Sequence, residues 1–559
     1  MKKPILIILI LLAINVLCSF LFVRLDLTKD KKYTLSETTK NIINEVKNDF
    51  TIEVYLEGNF PKEIKRLQIE TKQFLEDIKR QNSNINIKFL NPMDKEFDTE
   101  TSHENFEQSG ITPFYISVFD KGKESQEMIF PWATVFNNKY KEKHLNVSLF
   151  KDKNGLSSEE KIIASIQNLE FAFANAIQIA NKDKQKKIAI LKGNKQPSDR
   201  LHASFITNAR EKYYIAPFTL DSVANQPIKS IELLKKYDLA IMIKPLEKFT
   251  DEEKQVLDQY IINGGKTLWM LDQVQVEMDS IMANNGRTLA YPIDLNLNDL
   301  FFKYGIRFNS DLVKDLDCAP IVLATGNMGN NPQYQQFPWF FSPLIKPNPT
   351  TLIGKNLDFT KIDFGNSIDI LKNETQKTVL LQSSVLSKSL GTPTEIALDI
   401  VSERDVEQYR NKGNLPMAVF VEGNFNSVFK NRVLPFEDKT FKERGKNNQM
   451  IVIADGDFSK NMLDKEGVPL ETGFDKWTNK LYGNKEFLTN CIDYLMGETD
   501  LMKIKSKTIQ LALLDKEKVY AQHSYIQVLN IVFPMLLVTV FGISFLYLKK
   551  RKYGTPKII

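Results

Sequence analysis

At 559 residues, 42% of them hydrophobic and 26% charged, the chain has a globular composition and exceeds one ordinary core, so about two to four domains are expected. Lys and Arg number 74 against 69 Asp and Glu; without Lys2, Lys3, Lys549, Lys550, Arg551, Lys552 and Lys557 at the ends, the body holds 67 against 69. A nearly neutral body excludes a general nucleic-acid binder, and three cysteines, no two at ligand spacing, exclude a disulfide scaffold and a Cys-based zinc module.

In chain order, residues 1–23 are predicted to form a transmembrane helix. Pro4 to Val23 are twenty uncharged residues, enough at about 1.5 Å per residue to cross a bilayer core of about 30 Å. Residues 24–155 follow as a first domain. Ser36 is placed to cap a short helix, Ile52 to Leu56 and Ile85 to Leu90 read as strands around a helix from Pro61 to Arg80, and Phe114 to Phe119 with Met128 to Pro131 read as a hairpin. The order β-α-β-α-β-β, with Pro113 before the third strand, is that of a thioredoxin-like domain. It lacks a C-x-x-C motif, and any cysteine, so thiol exchange is excluded.

Residues 156–186 are expected to be a connecting helix and linker, with Ser157 or Ser158 as cap and Ile162, Ile166, Leu169, Phe173 and Ile177 at helical spacing. Residues 187–500 read as a larger doubly wound α/β domain. Its signals are the buried strands Ile188 to Leu191, Asp238 to Ile243, Thr267 to Leu271 and Met450 to Ala454, a capping box at Thr250 and Glu253, and a helix from Lys485 to Met496. Within it, residues 275–445 read as a loop-rich stretch, a large insertion or a third domain. A juxtamembrane segment, 501–524, leads to a second transmembrane helix, 525–548, and a basic tail, 549–559. Lys549 to Lys552 place that tail in the cytoplasm, so two spans put both termini inside and the bulk of the chain in the periplasm of a bacterium.

Gly264-Gly265-Lys266-Thr267 mimics the end of a phosphate loop, but Tyr260 stands where a glycine is required and a strand follows, so a helix-ending turn is expected. Asp455-Gly456-Asp457 lies at the carboxyl end of a predicted strand; its two carboxylates suit either a divalent ion or a turn in which Asp side chains bond nearby N–H groups. His103, His144, His202 and His523 are far apart and read as surface or loop residues. No serine sits in a G-x-S-x-G elbow. Among aromatics, Phe337, Trp339 and Phe340 are the candidate contacts to a ligand or partner, against ordinary packing in their own domain.

Arg24, Asp26, Leu27 and Thr28 followed by Tyr33, Thr34, Leu35 and Ser36 resemble the start of auxiliary subunits of bacterial ABC transport systems. Lys303-Tyr304-Gly305-Ile306, Lys355-Asn356-Leu357-Asp358 and the stretch from Glu422 and Gly423 through Phe425 and Ser427 to Asn431 and Arg432 narrow the likeness to the gliding-motility-associated (GldG) auxiliary proteins of Bacteroidetes. The resemblance implies a larger domain similar to class I glutamine amidotransferases without their catalytic cysteine, no cofactor, and a complex with a polytopic permease and a separate cytoplasmic ATPase, linked to gliding motility. Where relatives carry Gly-His-Gly-Glu this chain has Gly193-Asn194-Lys195-Gln196, which argues against catalysis or metal binding at that loop. The expected function is a non-enzymatic membrane subunit whose outer region engages a substrate, the cell wall or an envelope partner; the alternatives are a metal-dependent hydrolase using Asp455 and Asp457, or a structural scaffold.

Overall fold

The computed structural model describes residues 34–58, 60–93, 106, 109–120, 123–139, 144–151, 156–220, 223, 225–328, 331–402, 405–505 and 516–553. The first predicted span, His103, and Arg24, Asp26, Leu27, Thr28 and Tyr33 lie outside the described residues. The chain divides into two compact units, Met1–Lys507 and Thr508–Ile559.

In the first unit, Ser36 accepts a hydrogen bond from the Thr39 amide and so caps the helix Glu37–Asn44. Phe50–Val54 is one of two inner strands of a four-stranded sheet, parallel to Ile85–Phe89 and antiparallel to Trp132–Asn137, which pairs in turn with His144–Ser148. The expected hairpin forms from Phe114–Asp120 and Lys123–Ile129, but as a separate two-stranded sheet. Its second strand opens Lys-Glu-Ser-Gln-Glu and gives Ile129, at its end, to the core, where Ala133, Val135 and Val147 of the two strands that complete the four-stranded sheet are also buried. The helix Ser158–Asn181 starts at a complete capping box of Ser157 and Glu160. It is more than a connector: Ile166, Phe173 and Ile177 pack into one cluster with Ile43, Leu75 and Val135, and Leu501 and Ile504 of the helix Thr499–Lys505 return to that cluster.

The larger sheet has seven strands in the order Gln376–Gln382, Pro416–Asn426, Arg444–Ile453, Lys266–Met270, Leu239–Ile243, Lys187–Lys192, Tyr214–Thr219. Side chains alternate across it. Ala240, Met242, Trp269, Val419 and Val452 face a cluster completed by the helix Asp251–Ile262, and Ile241, Ile243, Leu268, Phe420 and Ile451 face one completed by the helices Ala203–Lys212 and Asn484–Leu495. The sheet is therefore covered on both sides, as expected, but it is mixed and not wholly parallel, because Pro416–Asn426 and Gln376–Gln382 run antiparallel to their neighbours.

Those two strands come from the stretch expected to be loop-rich, and that expectation is corrected. Met417 to Val421 are all buried, which suits a strand covered on both faces. The remainder of the stretch builds short pairings, Asp311–Asp315 with Ser387–Gly391 and Arg287–Pro292 with Thr394–Ala397, and a long hairpin of Cys318–Met328 and Asn331–Ile345. Cys318 thus opens a strand and Cys491 lies in a helix; both are free thiols. Burial pushes Cys318 up to about 12 and Cys491 well above the ordinary thiol value, which makes them poor nucleophiles.

In the second unit the helix His523–Tyr553, with Pro534 inside it and Lys550, Arg551 and Lys552 in its last turn, is the one described helix long and apolar enough to cross a membrane.

Candidate functional site

Three neighbouring parallel strands deliver ionisable groups to one edge: Lys244 follows Leu239–Ile243, Asp272 follows Lys266–Met270, and Asp455 and Asp457 follow Arg444–Ile453. The Lys244 ammonium hydrogen-bonds Glu277 Oε1 and Asp457 Oδ2 and lies 3.5 Å from Asp272 Oδ2. Burial works against its charge, but Asp272, Asp457 and Glu277 outweigh burial and hold its pKa above the usual lysine range. Asp457 experiences the same balance from the other side: burial would raise it, and Lys244 and Lys460 bring it below the ordinary carboxylate value. Lys244 holds this position with φ at +42°, a left-handed backbone uncommon for a residue with a Cβ.

The neighbours Asp455 and Asp272 are carboxyls of a different character. Asp455 accepts from the Asp457 amide at 2.7 Å and the Asp363 amide at 3.0 Å, and burial with the nearby Asp272 raises its pKa well above the usual range. Asp272 accepts from the Gly456 amide at 2.6 Å, and burial pushes it up to about 6 against the pull of Lys244. A Cβ on Gly456 would lie 2.7 Å from Lys244 Cγ and 2.8 Å from Asp272 Oδ2, so glycine here allows the three strand ends to close together. Asp455 and Asp457 are brought together, but as an Asp turn beside an ammonium. The ammonium occupies the space between carboxylates where a cation would sit, and among the described residues no three His, Cys, Asp or Glu are grouped to hold a metal ion.

In front of this network lies a cavity of about 670 Å³, lined by Asp455, Asp457, Lys460, Lys361 and Asp363 on its polar side and by Met278, Ile321, Phe364, Trp477 and Trp339 on its apolar side. Its size falls within the range of about 300–1,000 Å³ usual for ligand pockets. Of the three candidate aromatics only Trp339 lines it. Phe340 points to the other side of its strand, within 6.3 Å of Tyr409 ring to ring, and Phe337 pairs with Ile321 across the hairpin. Trp339 is 2% exposed and its indole Nε1 has no acceptor among the described residues. Sequence reasoning missed Lys244, Lys361 and Lys460, because isolated lysines carry no pattern; only the strand-end position of Lys244 could have marked it.

His202 corrects an expectation. It is buried, not a surface residue, and its Nδ1 shares a hydrogen bond of 2.9 Å with Ser459 Oγ. Burial, only partly opposed by Asp457, lowers its pKa to about 4. A histidine that is harder to protonate folded than unfolded stabilises the fold above about pH 6.5, and that stability is lost as pH falls from there towards 4. His202→Gln should flatten the wild-type loss of stability over this interval, which amounts to roughly 3 kcal/mol. Chemical unfolding at pH 7 and pH 4.5 reads it; parallel curves for both proteins would contradict the assignment.

The other motifs are structural. Gln196 Oε1 accepts from the Gly193 and Asn194 amides, each at 3.0 Å, which closes that loop on itself. A Cβ on Gly265 would meet the Tyr260 ring at 2.3 Å, and Gly264 has φ at +100°, so the pair serves a tight turn between helix and strand. In the long motif, Ser427 Oγ and the Val428 amide donate to buried Asp258 at 2.6 and 2.9 Å, Phe425 packs edge-on to Tyr304, and Arg432 pairs with Asp299 at 2.7 Å. Gly423 and Asn431 take positive φ, and none of residues 422–432 lines the cavity. At the front of the chain Ser36 donates its amide to Glu170 at 2.6 Å, tying the first helix to Ser158–Asn181. Thr34 and Leu35 precede it, Leu35 packing against the same core.

Comparison with known proteins agrees with the sequence motifs at a coarse level. An uncharacterized protein of the spirochete Borreliella burgdorferi is 22% identical over 547 residues, covering 95% of this chain and 94% of its own length. Among solved structures the mmIFT52 N-terminal domain covers 59% of this chain and 100% of its own at 16% identity; its TM-score of 0.32 carries no argument about fold or function. Residues 29–136 match a domain of unknown function, DUF7088. Residues 185–491, 307 of 559, match the family described as an ABC-type uncharacterized transport system, and with more than half of its length matched the chain belongs to that auxiliary family of ABC transport.

Proposed function

We propose that this protein is a non-enzymatic auxiliary membrane subunit of an ABC transport complex, whose outer region engages a substrate or an envelope partner. The family supplies the link to an ABC transporter. The observation that carries the non-enzymatic half is Lys244: at the sheet edge where α/β proteins bind ligands, the carboxylates suited to metal or acid–base work are held by a buried ammonium and by backbone amides. Hydrolysis through Asp455 and Asp457 would first have to displace that ammonium.

In this reading the described apolar helix is the second of two spans, both termini are cytoplasmic, and residues between the spans are periplasmic in a bacterial inner membrane. Residues 24–155 form a thioredoxin-like domain without thiol chemistry and 187–500 an amidotransferase-like domain. The partners are a polytopic permease and a separate cytoplasmic ATPase, and the system is of the gliding-motility GldG type. Purification in mild detergent should bring permease and ATPase along with the chain. Replacing residues 5–23 and 528–548 by unrelated apolar helices of equal length should preserve insertion and abolish that co-purification. A chain with foreign spans that still brings the permease would move the contact to the outer domains.

A further inference from the structure

We propose that the cavity at the strand ends binds an extended peptide segment of a partner protein, apolar and basic in alternation, laid along the free edge of the Cys318–Met328 strand. This deepens the reading above and rests on it in one respect, that the chain works by engaging a partner.

The first support is geometric. Pro320, Ile321 and Val322 are consecutive and all line the cavity. Side chains alternate between the two faces of a strand, so three consecutive residues lining one space fit a space that runs along the strand's edge. The strand is the outermost of its three-stranded sheet, with Asn331–Ile345 its one partner among the described residues. An unpaired edge offers N–H and C=O groups to an added strand. Pro320 has no N–H to leave unpaired there, as is usual for proline at sheet edges.

The second support is the lining. Met278, Met282 and Met462 supply adaptable apolar walls. Around them Tyr334 and Trp477 are 65% and 64% exposed, large aromatic surfaces of the kind that anchor partners. Trp339 lines the cavity and its Nε1 donor is buried without an acceptor among the described residues, so a peptide carbonyl that reached it would supply one.

Charge selects the sequence of the peptide. The lining residues hold six carboxyl groups and three ammonium groups, but burial raises Asp455 well above the ordinary carboxylate range and Lys244 adds a cation behind them, so the unmatched negative charge is an outer one. The inner carboxylates are matched by Lys244, Lys361 and Lys460, while Asp279 is exposed and has no cationic partner among the described residues. A lysine or arginine on the ligand would meet that carboxylate and the aromatic faces that attract cations.

The probe is a labelled, end-blocked heptapeptide of alternating valine and lysine, titrated against the full chain in detergent micelles and read by anisotropy and tryptophan quenching. Saturable binding is expected, about tenfold weaker when glutamate replaces lysine or when alternate backbone nitrogens are methylated. Trp477→Ala and Asp279→Asn, both at exposed positions, should each weaken it roughly fivefold. Equal binding of the acidic or N-methylated peptide, or unchanged binding by both variants, overturns the proposal. So does an end-blocked chitooligosaccharide that displaces the peptide and loses affinity in Trp477→Ala, which would assign the cavity to glycans. Absence of peptide binding by a protein that still co-purifies with permease and ATPase sinks this proposal alone, whereas loss of co-purification with peptide binding intact sinks the earlier reading alone.

Discussion

Lys244→Met is expected to destabilise the larger domain by about 3–5 kcal/mol, the cost of leaving buried carboxylates without their cation. Lys244 is 3% exposed and stands among Asp272, Glu277 and Asp457. The loss should depend on pH. In the wild type Asp457 titrates below the ordinary carboxylate range, so its contribution is present at neutral pH and is lost as pH falls through that lowered value. Without Lys244 the chief cause of the lowering is gone and burial takes over, so the variant is penalised most at pH 7, and its gap to the wild type narrows towards pH 4. Urea unfolding of the full chain in detergent, followed by the fluorescence of buried Trp269 and Trp339, measures both effects. A pH-independent gap would mean that the loss comes from packing and not from charge.

Asp258→Ala should cost a similar amount, about 3–6 kcal/mol, through hydrogen bonds and not ion pairing. The Asp258 carboxylate is buried and accepts from Ser427 Oγ, the Val428 amide, Tyr304 Oη at 2.9 Å and Gln259 Nε2 at 3.0 Å. Its removal leaves the Ser427, Val428 and Tyr304 donors buried and unmatched. Asp258→Asn keeps acceptor capacity for some of these and should lose roughly half as much. Burial raises the Asp258 pKa, so its contribution is greatest below the ordinary carboxylate value and declines as pH rises towards the folded one; the Asn variant should lack that slope. Equal unfolding midpoints for Ala and wild type would remove Asp258 from the role of anchoring the 422–432 motif.

What the sequence revealed follows from where each signal lies. Helix starts were legible because caps are local: Ser36, Ser157 and Thr250 each accept from an amide a few residues on, and all three sit where their chemistry predicts. The parallel strands were legible because residues such as Leu239 to Ile243 are apolar without interruption. Pro416–Asn426 has the same kind of run, Met417 to Val421, but its surroundings are rich in turns and its partner begins at Arg444, so only pairing over distance identifies it. The strand-end location of Asp455 and Asp457 was visible, and so was their alternative as a turn. Lys244 was not, because an ammonium balanced by Asp272, Glu277 and Asp457 exists only after strands far apart in the chain come together.

That late meeting has a bearing on how the protein is made. Leu268 sits beside Ile451 in the finished sheet, with about 180 residues of chain between them. At a synthesis rate of about 5–20 residues per second, the edge of Lys266–Met270 waits roughly 10–40 s for its neighbour to be made. During that interval a nascent chain already carrying Leu239–Ile243 and Lys187–Lys192 presents an open apolar ladder, the feature on which newly made chains adhere to one another. The short antiparallel pairings between residues 287 and 397 have both of their strands made before Ile451 is reached. They can form while the ladder waits, giving the growing chain a folded mass beside its unfinished edge.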